Sequence, residues 1–152
     1  LQRYGANYYQ EFAKEKIVWA SVGTIDFSLI PDSHYLLDTN YFLMFNQNKK
    51  FLLGILNSKV AFLYLKDKQT PLGKTGAYRN YKNNIENLPI PQITESNKPL
   101  CDEIIKCVDK ILESKAKDST LDTSKLESKL DSLVYKLYNL TNDEIAIIDS
   151  KT

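Results

Sequence analysis

The sequence predicts an α/β (α+β) protein: a small, mostly antiparallel or mixed sheet packed with a helix, then an antiparallel C-terminal helical pair and a short third helix. Three observations carry this. Short runs rich in β-branched and aromatic residues crowd positions 16–46, a helical period takes over near position 50, and heptad-type apolar spacing fills the last third.

The strand candidates are "KIVWAS" (16–21), "TIDFSLI" (24–30), "HYLLD" (34–38) and "NYFLMFN" (40–46). Turn residues separate them: Gly23, then Pro31-Asp32-Ser33, then Asp38-Thr39-Asn40. In "TIDFSLI", Ile25, Phe27 and Leu29 alternate with polar residues, as in a half-buried strand. Connections this short favour antiparallel pairing over βαβ crossovers. Leu52, Leu53, Leu56, Val60, Leu63 and Tyr64 then predict one helix over 50–66, followed by a long loop, "DKQTPLGKTGAYRNYKNN" (67–84).

Pro89 and Pro91 in "NLPIPQI" (87–93) stop any regular element. Beyond them, Cys101, Ile104, Val108 and Ile111 form one apolar seam, and Leu126, Leu130, Leu133, Leu137 and Leu140 a second. Ser124 with Glu127, and Thr141 with Glu144, fit capping boxes, the latter opening a third helix at 142–149 with Leu140 and Ile145 as a staple. The expected organisation is a lead-in segment (1–15), a globular body (16–93) and a helical spacer or docking region (94–152).

At 152 residues the chain can bury enough surface to fold without disulfides or metal. Starting at Leu1, it reads as a piece of a longer protein. No run approaches the roughly 18 apolar residues of a membrane span, and no leader of the secretory type is evident. Cys101 and Cys107 are six apart on a helix, too far for a disulfide, so reduced thiols and a cytoplasmic location are expected.

Catalytic motifs fail on inspection. "LGKTG" ends like a phosphate loop, but Lys68 stands where its first glycine belongs. His34 is the single histidine, which leaves histidine-based metal sites and Ser-His-Asp triads almost nothing to draw on. "PD" at 31–32 with "ESK" at 113–115 mimics a nuclease pattern, yet the latter falls on an exposed helix with Glu113 and Lys115 facing apart.

Charge is more telling. Net charge is +1, but positions 46–84 hold eight basic residues and one acidic residue, 8 − 1 = +7, whereas 96–152 hold nine against eleven, 9 − 11 = −2. The candidate DNA-binding set within this cationic stretch is Lys66, Lys68, Lys74, Tyr78, Arg79, Asn80, Tyr81, Lys82 and Asn83. Arginine and lysine pair with phosphates or with guanine O6 and N7, asparagine suits adenine edges, and tyrosine stacks on bases. The competing reading is a solvated loop with its tyrosines turned onto the core.

The order "KIVW", strands, "LLGILNSKVAFLYLK", a glycine loop with "YRNY", "IENLPIPQI" and "LDSLVYKLYNLTNDEIAIID" resembles the TaqI-like C-terminal specificity domain of type IIG restriction–modification enzymes and adenine-specific DNA methyltransferases, from about Phe12 to Asp149. It is also similar to a recognition unit of type I specificity subunits. The resemblance implies a non-catalytic reader of double-stranded DNA that directs an attached or partner methyltransferase or endonuclease. The domain itself would hold no cofactor, while the parent enzyme would use S-adenosylmethionine and Mg2+. Tyr78 and Arg79 match the family's glycine–aromatic–arginine stretch, so the resemblance gives them a DNA-facing role. A second expectation, compatible with the first, is an assembly module that uses the C-terminal helical pair, including self-association as a homodimer or a half-type specificity subunit.

Overall fold

The computed structural model describes residues 14–31, 40–43, 48–73 and 77–152. Strand β1 (Lys16–Ala20) lies between β2 (Ser28–Ile30) and β3 (Asn40–Leu43), antiparallel to both. Ile17 stands opposite Leu29 on one side and Leu43 on the other. Lys16, Ile17, Val18 and Trp19 are all buried, as suits a central strand covered on both faces.

The strand expected over 24–30 shortens to three residues for a local reason. Asn57 accepts from the Phe27 N–H (3.1 Å) and donates to the Phe27 carbonyl (2.9 Å), so a side chain stands where a ladder partner would. The expected strand at 34–38 lies outside the described residues, as do residues 44–46 of the next.

The single helix expected over 50–66 is two: α1 (Lys49–Leu56) and α2 (Lys59–Lys66). Asn48 caps α1 by accepting from Lys50 N and Phe51 N. The buried Ser58 ends one helix and starts the next, donating to the Ile55 carbonyl (2.7 Å) and accepting from Ala61 N (3.4 Å). The sequence expectation missed this break because apolar periodicity runs through Asn57-Ser58 without a change of phase.

The long loop also acquires structure. β4 (Thr70–Pro71) and β5 (Tyr78–Arg79) form a short hairpin, and α3 (Lys82–Glu86) follows. Gly73 has φ +58° near the hairpin tip, a conformation glycine adopts without strain. Gly23 N donates to Tyr78 O (3.0 Å) and Asn80 N to Ser21 O (2.9 Å), so the segment after β1 extends the hairpin edge.

Helices α4 (Lys98–Lys117) and α5 (Ser124–Leu137) run back on each other, and α4 packs on α1. Gly54 permits that approach: a Cβ there would sit 2.9 Å from Val108 Cγ2, 3.1 Å from Ile104 Cγ2 and 3.3 Å from Leu130 Cδ1. The seams therefore join the body's core, in which Phe51, Ile55, Cys101, Ile104, Val108, Leu130 and Val134 are buried together. Cys101 and Cys107 are free thiols, and burial raises both above the usual thiol range.

At the start of α5 the cap is Thr123, one residue earlier than expected, and its hydroxyl donates to Glu127 (2.6 Å). Asn139 (φ +54°) closes α5 through Leu140 N→Tyr135 O and Asn139 N→Lys136 O, a left-handed helix stop. Thr141 and Glu144 then form the expected capping box of α6 (Asn142–Lys151). "NLPIPQI" is pinned by two tyrosines: Tyr64 Oη donates to Asn87 O (3.0 Å) and Tyr138 Oη to Pro89 O (2.8 Å).

Candidate nucleic-acid interface

The cationic stretch divides into two sets. Lys49 pairs with Glu15 (3.4 Å), Lys50 with Asp109, Lys59 with Asp149 (2.8 Å) and Lys82 with Glu86 (3.1 Å). The Lys50 and Lys59 pairs tie the body to α4 and α6, and the carboxylate each lysine meets raises its pKa. Among the described residues, Lys66, Lys68 and Arg79 hold no carboxylate. Each lies over an aromatic ring instead: Lys66 over Phe62 (5.4 Å), Lys68 over Tyr64 (4.5 Å) and Arg79 over Tyr81 (5.9 Å). A ring positions a cation without neutralising it.

Two of these cations precede the hairpin in the chain and the third lies on it. Lys66 and Lys68 lie at the end of α2 and just beyond it, immediately before β4; Arg79 is on β5 opposite Thr70. Asn84 Nδ2 donates to Lys68 O (2.9 Å), drawing the start of α3 to the same place. Four of the eight cations of positions 46–84 are thus paired with carboxylates, which leaves Lys66, Lys68 and Arg79 as the described remainder.

Among the candidate residues, Lys66, Lys68, Tyr78, Arg79, Tyr81, Lys82 and Asn83 are exposed, and Lys74 lies outside the described residues. Asn80, expected to face DNA, is 4% exposed. Its amide donates to the carbonyls of Ala20 (3.1 Å), Gly23 (3.3 Å) and Thr24 (3.4 Å), and its Oδ1 accepts from Gln69 Nε2 (2.8 Å). That side chain anchors the hairpin to the segment after β1, which corrects its expected place at the surface.

Tyr78 and Arg79, adjacent on β5, line different hollows, as strand alternation requires. Arg79 lines a small one with Asn80, Tyr81 and Asn84. Tyr78 lines a groove of about 660 Å3 with Phe62 and Lys66 of α2, Gln69, and residues 23–26. In the sequence Thr24 and Asp26 carry no sign of a site, because alternation with Ile25 and Phe27 makes them only the polar side of a strand.

A family model described as the TaqI-like C-terminal specificity domain matches residues 2–90, which takes in the whole of the hairpin and ends within "NLPIPQI". The match stops short of the C-terminal helices α4, α5 and α6, whereas the resemblance in sequence ran to Asp149. No curated protein matches the chain. With more than half of its length matched, the chain belongs to the family of TaqI-like C-terminal specificity domains, the DNA target-recognition parts of restriction–modification enzymes.

Proposed function

We propose that this chain reads a specific duplex sequence and directs an attached or partner adenine methyltransferase or endonuclease to it. The observation that carries the reading is that three carboxylate-free cations lie on or next to an exposed aromatic hairpin. Lys66 and Lys68 meet phosphates, Arg79 meets a phosphate or a guanine edge, and Tyr78 and Tyr81 present rings to bases or sugars. Lys82 joins them by exchanging an exposed, weakly held Glu86 for a phosphate. Asn83 offers an exposed amide next to Lys82, and Lys74 joins the set by its place in the sequence alone. The chemistry belongs to the parent enzyme: S-adenosylmethionine and Mg2+ are its cofactors, no residue of this chain is assigned to either, and the setting is cytoplasmic.

A duplex-binding titration at several salt concentrations tests this. Four phosphate-neutralising cations give a slope of about −3 to −4 in log affinity against log salt. A slope near zero, or no binding to any duplex at low salt, overturns the reading. The self-association reading has less to draw on, since the seams of α4 and α5 are turned onto α1 within the chain.

A further inference from the structure

One charged group stands out on the face assigned to DNA. Asp26 is exposed and lines the 660 Å3 groove with Lys66, Phe62 (37% exposed) and Tyr78 (44% exposed). Among the described residues no cation pairs with it, and it accepts one hydrogen bond, from Thr24 Oγ1 to Oδ2 (2.6 Å). Its other carboxylate oxygen, Oδ1, accepts from no described donor.

Its backbone is held from both sides. On one side Asn80 Nδ2 donates to the carbonyls of Gly23 and Thr24. On the other, Asn57 pairs with both backbone groups of Phe27, whose buried ring lies against Trp19 at 5.8 Å. Two asparagine side chains from α1's end and the hairpin thus present Asp26 at a fixed place.

A bare carboxylate on a surface that a polyanion covers is repelled by every phosphate it nears. It is favourable there only against a hydrogen-bond donor, and the donors duplex DNA offers are base amino groups: cytosine N4 and adenine N6 in the major groove, guanine N2 in the minor. Resting on the DNA-reading function above, we infer that Asp26, oriented by Thr24, is a specificity-determining acceptor for the amino group of a base. The cations on or next to the hairpin supply affinity without sequence; Asp26 refuses the phosphate backbone and accepts a base edge.

Selection of bound duplexes from a randomised pool, with the 152-residue chain and its Asp26→Ala and Asp26→Asn variants, tests this. The parent should select an amino-bearing base at one position. Asp26→Ala should lose about ten- to hundredfold discrimination at that position alone, while binding unselected duplex as tightly as the parent or more so. Asp26→Asn, which keeps an acceptor and adds a donor, should shift the preference at that position towards adenine. If both variants keep every base preference of the parent, whether or not they bind unselected DNA more tightly, Asp26 merely repels phosphate and the inference is overturned while the DNA-reading function stands. If the parent binds no duplex at all, that function falls and the inference falls with it.

Discussion

Asn80 shows how one side chain can decide what a surface presents. Its four hydrogen bonds join β5, Gln69 and the segment after β1, so the hairpin and residues 20–24 share one anchor. Asn80→Ala takes one shared partner from three part-buried carbonyls and from the Gln69 amide, at a cost of about 1–3 kcal/mol. Urea denaturation should show that loss, and duplex affinity should fall with it although Asn80 touches no solvent-facing ligand. A variant as stable as the parent would remove the anchor from the account. Asparagine is ambiguous in a sequence because the same amide serves a base edge or three carbonyls; only burial separates the two, and burial depends on residues 56 to 60 positions away.

Among the elements, α6 is tied on through an exposed ion pair, Lys59–Asp149. Asp149 accepts from Lys59 Nζ and Tyr135 Oη, and these bonds hold its carboxyl below the usual aspartate range. A depressed folded pKa stabilises above the unfolded value, and that stability is lost as pH falls through the folded value. Asp131 runs the other way: burial raises its carboxyl, so its effect is favourable below the unfolded pKa and lost as pH rises through the folded one. Asp131→Asn removes the opposing group. In that variant, amide exchange in α6 should accelerate on acidification before exchange in α4 does; simultaneous loss in both would refute an acid-labile clasp.

The elements were unevenly legible in the sequence. The α6 capping box is written in two residues three apart and was found; the α1–α2 break rests on Ser58 bonding back to Ile55, which leaves no mark on apolar spacing. The helical seams were visible as four-and-three steps, but their destination on α1 turns on Gly54, which carries no side chain for a pattern to count. Of the candidate site, the aromatic and basic residues of the hairpin were plain. Which cations stay unneutralised was not, because Lys50 and Lys59 find their carboxylates 59 and 90 positions along the chain.

At the scale of the whole molecule, body and helices share one core. Removing α4 and α5 takes Cys101, Ile104, Val108, Leu130, Leu133 and Val134 from beside Phe51, Leu53 and Ile55. Losses of about 2–5 kcal/mol per large buried side chain exceed the ~5–15 kcal/mol that holds a domain folded. The full chain should therefore melt in one transition, and a fragment of residues 1–93 should show no cooperative unfolding. A folded fragment, or two separate transitions in the full chain, would make the helices an independent unit.

Trp19 is the chain's one tryptophan, buried against the ring of Phe27, whose backbone Asn57 fixes beside Asp26. Its indole emission is thus a built-in optical reporter, lodged one ring away from the groove. Quenching or a colour change on adding duplex would register movement of that wall directly, with no dye attached and no other indole in the background.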